Sequence, residues 1–508
     1  MTLDTYTPVP DLIRAYAATA PGKAALILED RQLSYDEFVR LGDRVAAALQ
    51  REDVAAGESV AICAGTSLEY GCAFFGALIA GVAMAPIAPS STPDGIAAMA
   101  ADCGAKVFFV DKAVADAMGA ELGKVKARIV GLDAGAPGVP FAEFLAPEGA
   151  KPAPVAITEE LPFNIIYSSG TTGAPKGIVQ SHGMRFWQVV RVQPMGYSEN
   201  SVVLLSTPLY SNTTLVSFFP TLALGGTVVL MKKFDAGQFL AQSQRHRVTH
   251  AMLVPVQYSR IMAREDFDSY DLSSFQMKFS TSAPFSPALK QDVLKRWPGG
   301  LVEYYGMTEG GGACVLAAHL FPDKLHTVGM PAPGHDIRVI DEDGKELPRG
   351  EVGEVVGRSD IMMSGYHNRK DQTDAAIWIS PEGLRFIRTG DVGRFDADGF
   401  LELMDRKKDM IISGGFNVYP SDLEAVLRQH PDVADAAVVG VPSAEWGETP
   451  VAFVVSSGAD GETLRAFANE RLGKTQRISA VELVDELPRS HIGKILKREL
   501  RDAYAAKR

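Results

Sequence analysis

Four short stretches carry residues whose types and spacing suit the handling of a phosphate-bearing ligand. The first, Tyr167–Gly177, reads YSSGTTGAPKG. Its glycines let successive backbone N–H groups turn to one side and form an anion nest. Ser168, Ser169, Thr171 and Thr172 add hydroxyl donors, and Lys176 adds a positive charge. A polyphosphate is the ligand such a set fits. The stretch is not the usual P-loop, because G-x-x-x-x-G-K-[ST] is absent. RLGKT at Arg471–Thr475 holds only half of that pattern, with Ala468 where the earlier glycine belongs, and is read as chance. The other three stretches are YYGMTEG at Tyr304–Gly310, RTGDVGRFDADGFLELMDRKKDMIISGGFNVYP at Arg388–Pro420, and LPRSHIGKILKREL at Leu487–Leu500.

Taken together and in this order, the four stretches closely resemble those of the adenylate-forming superfamily. It contains acyl- and aryl-CoA synthetases, peptide-synthetase adenylation domains and firefly luciferase. The resemblance covers nearly the whole chain. It implies a two-step reaction in which a carboxylate attacks the α-phosphate of ATP, giving an acyl-adenylate and pyrophosphate, and a thiol then displaces AMP. It also implies ATP, Mg²⁺ and CoA as partners. Ser169, Thr171, Thr172 and Lys176 would grip the β- and γ-phosphates. Thr308 would reach the α-phosphate, Glu309 would hold Mg²⁺, and Tyr305 would stack on adenine. A carboxylate suits a hard cation, and Asp391 offers two acceptor oxygens to the ribose diol. Arg406 would lie near the same ribose and phosphate. Asp396 and Asp398 read as turn residues.

Lys494 fits the Pro-x-x-x-x-Gly-Lys pattern of the tail, whose lysine bridges the carboxylate and the α-phosphate in the first step. Lys497 and Arg498 read as solvated. Lys408 occupies the hinge position at which the C-terminal domain turns between half-reactions. Gly414 and Gly415 would leave room for pantetheine, and Trp446 would line the CoA path or sit in the core. The acid is expected between Pro208–Ser217, Ser280–Pro284 and the residues after Glu309, with Ser211, Asn212, Ser282, Gly310 and Gly311 in its pocket. Many relatives carry histidine where this chain has Ser211, so Ser211 or Asn212 would serve as donor there, or the site is roomier. Phe218 and Phe219 read as core. The glycines after Glu309 and the lack of a basic residue in these segments favour a sizeable, mostly apolar acid, aryl or medium- to long-chain, over acetate or a dicarboxylate.

The elements that must position these residues follow from the pattern of the chain. It has 508 residues, enough for two or three domains. Apolar residues make up 46% and charged residues 22%, which describes a globular protein. A formal charge of −12 argues against nucleic acid as the main partner. Cys63, Cys72, Cys103 and Cys314 lack metal-ligand or paired spacing and read as free thiols of a reducing compartment. MTLDTYTPVP has no basic n-region or apolar h-region, so a cytoplasmic protein is expected. The apolar run Tyr70–Pro89 reads as a buried helix rather than a membrane span. KAALILED, ESVAICAG, AKVFFVD and FNIIYSS read as strands alternating with helices, which predicts parallel sheets of α/β type. From Val328 short strands and Gly/Asp turns (EDGK, ADGF) predict a small β-rich subdomain. Beyond the boundary near Asp405–Lys408 the pattern turns α+β. The expectation is therefore an N-terminal region, 1–405, with two sheet-and-helix subdomains and the β-rich one, and a mobile C-terminal lid, 406–508. The activity expected is that of a carboxylate–CoA ligase. The alternative is a stand-alone enzyme loading the phosphopantetheine thiol of a carrier protein supplied in trans. A homodimer is left open.

Overall fold

The apolar run Tyr70–Pro89 divides between two elements. In the computed structural model, which describes residues 3–168, 176–406, 409–413, 416–443, 446–473, 476–490 and 493–507, a helix takes Leu68–Ile79 and a strand takes Ala83–Pro86. The Ser67 hydroxyl accepts from the Tyr70 N–H at 3.0 Å and caps the helix. Every helix residue except Glu69 is buried. Close packing explains the glycine: a Cβ on Gly76 would lie 2.4 Å from Val45 Cβ on the neighbouring helix Tyr35–Arg51. Among the described residues no helix is long and apolar enough to cross a membrane.

Two compact units divide the chain, Met1–Leu325 with Arg358–Ile377, and His326–Gly357 with Trp378–Arg508. In the first unit the strands run β1 (Ala24–Leu28), β2 (Arg31–Ser34), β3 (Ser59–Cys63), β4 (Ala83–Pro86), β5 (Val107–Val110), β6 (Arg128–Gly131) and β7 (Val139–Pro140). There follow β8 (Pro162–Ser168), β9 (Lys176–Ser181), β10 (Val202–Leu205), β11 (Thr227–Leu230), β12 (His250–Leu253), β13 (Met277–Ser280), β14 (Gly300–Gly306) and β15 (Ala313–Ala317). One sheet has the order β15-β14-β13-β12-β10-β11-β1-β2, parallel except for β2 and β15. The other has the order β9-β8-β4-β3-β5-β6-β7, parallel except for β9, whose free side takes the short strand Gly365–Tyr366. Parallel strands buried on both faces read as continuous apolar runs, as VFFV of β5 does. Phe74, Phe163, Phe218 and Phe219 form an aromatic cluster in the core of this unit, as expected for the last two. All four cysteines are buried and free.

The second unit opens with a small β-rich sheet containing His335–Ile340, Gly353–Ser359, Arg385–Phe395 and Leu401–Arg406. Both expected Gly/Asp turns form: the Asp341 N–H donates to the Lys345 carbonyl, and Asp396 Oδ1 accepts from the N–H groups of Asp398 and Phe400. A further sheet has Val433–Ser443 and Gly447–Ser456 at its centre. The helices Pro420–Leu427, Gly461–Arg471 and Lys497–Ala506 cover it.

His182 opens the helix His182–Val192 with no exposed surface. Neither ring nitrogen has a hydrogen-bond partner among the described residues, and the ring meets Phe163 edge-on at 5.0 Å. Burial pushes its pKa down from 6.5 to about 3, and that of His250 down to about 4. With the folded pKa depressed, the unfolded chain binds more protons between pH 6.5 and 3, so stability falls as pH falls through that window. At pH 4.5 the penalty at His182 is about 2–3 kcal/mol. Urea unfolding at pH 7 and pH 4.5 should therefore show a smaller acid loss in His182→Leu than in the unaltered protein. Equal losses would rule His182 out as the titrating group.

Candidate functional site

The hairpin β8–β9 pairs Tyr167 with Gly177 and Ser168 with Lys176, so the glycine-rich stretch leaves and re-enters the sheet at fixed ends. Ser169, Thr171 and Thr172 lie outside the described residues, as do Lys408, Gly414 and Gly415. Lys176 begins β9, and its Nζ stands 5.0 Å from the centroid of the Tyr366 ring, a cation–π contact. Tyr366 lies opposite Ile178 in the pairing of Gly365–Tyr366 with β9. Its hydroxyl donates to Glu309 Oε1 at 2.9 Å. Burial first, and then the Glu309 charge, push the Tyr366 hydroxyl well above its ordinary pKa, so it stays a donor.

Thr308 and Glu309 follow the carboxyl end of β14, where ligands of open α/β sheets bind. Three bonds fix this turn. Gln180 Nε2 donates to the Thr308 carbonyl at 2.7 Å, the Met363 N–H to the Glu309 carbonyl at 2.8 Å, and Ser359 Oγ to the Gly310 carbonyl at 2.9 Å. Gly310 has φ +73°, and a Cβ there would sit 2.3 Å from the Ile361 carbonyl oxygen. The glycine is thus required by backbone approach, a reason that differs from the widening of a pocket. Gly311 beside it is buried, and Tyr305, on β14, is half-buried.

The two segments expected to flank the acid do meet. Ser211 is buried at the start of the helix Asn212–Ala223, and Ser282, at φ +80°, places its Oγ 2.8 Å from Thr213 Oγ1. Asn212 Oδ1 accepts from Arg185 Nη2 at 2.9 Å. Arg185 is a residue that the sequence pattern hid. It is 1% exposed, and burial lowers its pKa to about 9, which leaves it charged at neutral pH. Its donors reach Asn164 Oδ1 twice, at 3.0 and 2.8 Å, as well as Gln188 Oε1 and Gln180 Oε1. Gln180 is the same side chain that holds Thr308.

In the second unit Asp391 and Arg406 are cross-strand neighbours, with Nε 2.9 Å from Oδ1. Lys494 is half-buried beyond a turn in which Gly493 has φ +77°; its N–H donates to Ser490 Oγ, and its carbonyl accepts from the Ser490 N–H at 2.8 Å. Trp446 is 50% exposed, which removes the core reading. Lys497 is corrected as well: it pairs with Glu424 at 2.9 Å and is 15% exposed, because the helix Lys497–Ala506 packs on this unit, whereas Arg498 is exposed as expected.

Among the described residues no three His, Cys, Asp or Glu side chains converge as a metal cage. A partly exposed carboxylate at Glu309 fits Mg²⁺, which takes hard oxygens and commonly draws most of its ligands from phosphate and water. Bound there, the ion would neutralise phosphate charge.

The AMP-binding enzyme family matches residues 13–367, and its C-terminal domain family matches residues 422–494. The indoleacetate–CoA ligase of Aromatoleum aromaticum is 34% identical over 97% of this chain and 98% of its own. The fatty acid–[acyl-carrier-protein] ligase ScoC of Streptomyces coeruleorubidus is 31% identical over 96% of this chain and 95% of its own. ATP-bound MatB from Rhodopseudomonas palustris superposes with a TM-score of 0.87 at 28% identity, over 98% of this chain and 99% of that one. The chain belongs to the AMP-binding, adenylate-forming family of enzymes. Its activity is that of an AMP-forming acid–CoA ligase, which uses ATP, Mg²⁺ and CoA.

Tyr366→Phe removes one hydrogen bond to a charged carboxylate at the cost of a single atom. It should keep the fold and lower kcat/KM for MgATP about ten-fold, the size of such a bond. Unaltered kinetics with MgATP would show that Glu309 needs no such partner.

Proposed function

We propose that the protein activates a mostly apolar carboxylic acid, aryl or medium- to long-chain, and passes its acyl group to CoA. The carrying observation is the convergence of Lys176, Tyr366, Glu309 and the Thr308 backbone at the end of the glycine-rich hairpin. A carboxylate oxygen attacks the α-phosphorus, the bond to the bridging oxygen breaks, and pyrophosphate leaves with the electron pair. The transition state gathers negative charge, which positioned cations and donors stabilise. Lys176 with Ser169, Thr171 and Thr172 takes the outer phosphates, Thr308 the α-phosphate, and Glu309 the magnesium ion. Tyr305 and Asp391, with Arg406 beside it, hold the nucleoside. Lys494 bridges the carboxylate and the α-phosphate. In the second step the thiol sulfur attacks the acyl carbon, its proton leaves to solvent, and AMP departs with the bonding electrons.

The C-terminal lid from residue 406 turns about Lys408 between these steps, and Gly414, Gly415 and Trp446 serve the pantetheine arm. Half exposure of Trp446 favours such a surface role. Ser211, Asn212, Ser282, Gly310 and Gly311 bound the acid. A cytoplasmic protein, active alone or as a homodimer, fits this reading. Transfer to a carrier-protein thiol is the second reading, supported by the similarity to ScoC.

An acid panel of indole-3-acetate, 4-coumarate, ferulate and octanoate, with ATP, Mg²⁺ and either CoA or carrier protein, tests the two. AMP and acyl-CoA should form together with at least one acid; thioester on the carrier alone would reverse the order of the readings. Lys494→Ala should slow adenylate formation on the order of 10²–10³-fold. It should spare thioester formation from supplied acyl-adenylate, and equal loss in both steps would refute the role of Lys494.

A further inference from the structure

Arg185 is a fully buried cation for which no carboxylate partner is found among the described residues. Each of its hydrogen bonds goes to a neutral amide oxygen, on Asn164, Gln180, Gln188 or Asn212. Desolvation lowers its pKa, and no ion pair to it is found among the described residues. Its other neighbour is the ring of Phe163, 5.6 Å away. Buried charges in proteins are ordinarily paired, because taking an ion out of water costs several kcal/mol. Without a paired anion, the positive potential of Arg185 is left for one that arrives from outside.

The network around it indicates where. One arm runs through Gln180 to the Thr308 carbonyl, beside the turn that carries Glu309. Another runs to Asn212, in the first turn of the helix Asn212–Ala223, whose N-terminus is itself electropositive. Ser211 precedes that helix without a side-chain cap bond. The guanidinium and the helix end thus add their fields at the segment assigned to the acid. The Arg185 donors are taken up by amides, so its effect on a substrate is through its charge.

We propose that Arg185 is a positioning residue that supplies the positive potential holding the substrate carboxylate. This rests on the assignment of the acid to the Asn212 segment. It adds that recognition of the acid requires the anionic form, so a neutral isostere gains nothing from Arg185.

The probes are whichever acid of the panel above is turned over fastest and its uncharged carboxamide. Arg185→Met should raise KM for the acid on the order of ten-fold to a hundred-fold, the range of one charge interaction at intermediate dielectric. KM for MgATP and the inhibition constant of the carboxamide should move less than about two-fold, a change worth under half a kcal/mol. Arg185→Lys should recover part of the loss. An unchanged KM for the acid overturns the proposal, and so does a parallel weakening of acid, carboxamide and MgATP. If Arg185→Met does not fold, Asn164→Asp decides, since it nearly keeps the shape and gives the guanidinium an internal anion. That variant should raise KM for the acid while the carboxamide binds as before; an unchanged KM overturns the proposal. Absence of thioester or adenylate from the unaltered protein with every acid would instead overturn the parent reading, which keeps the two failures distinct.

Discussion

The register of one antiparallel hairpin inside a parallel sheet governs the first unit's site. Side chains of a strand alternate between its two faces. Lys176, Ile178 and Gln180 therefore share one face of β9, and Tyr366, directly opposite Ile178, shares it too. That single face delivers a cation, an aromatic donor and an amide to the turn after β14. A slip by one residue would turn all of them to the other side. The pairing of Ser168 with Lys176 at one edge and of Tyr366 with Ile178 at the other makes such a slip costly.

Much of this arrangement was legible in the chain. The parallel strands stand out because burial on both faces makes them uninterrupted apolar runs, and their alternation with helices fixes the fold class. The glycine-rich stretch and the Thr-Glu pair stand out in the chain because few residue types suit phosphate chemistry, and the strands on either side of that stretch pair as a hairpin. Asp396 and Asp398 are legible because Asx turns are local. What was hidden depends on contacts distant in sequence. The helix Asn212–Ala223 carries threonines, two phenylalanines and an internal Pro220, and has almost no polar face, so no helical period marks it. Its burial in the core overrides its propensity. Arg185 reads as the polar edge of an ordinary helix until its partners, on other elements, are seen. Lys497 reads as one more solvated cation of a basic tail, and only the distant Glu424 shows otherwise.

Charge is distributed sparingly. The chain as a whole is acidic, at −12, yet Lys176, Arg185, Gln180 and Asn212 bring cations and amides to the first unit's candidate site. Arg185 sits among neutral amides, where low dielectric enlarges the effect of its charge. Glu309 accepts from a tyrosine whose hydroxyl burial and the Glu309 charge keep protonated near neutral pH. Burial of Arg185 and the 2.9 Å bond from Tyr366 to Glu309 hold one positive and one negative charge in fixed places.

The four buried cysteines have a consequence of another kind. Burial raises the thiol pKa of Cys63, Cys72 and Cys314 far above neutrality and that of Cys103 to about 12. Thiolate is the reactive form, so none of these sulfurs competes with an incoming thiol for an activated acyl group. An enzyme that handles a reactive mixed anhydride beside a free sulfhydryl thereby avoids acylating itself, and it escapes mixed disulfides with its own co-substrate.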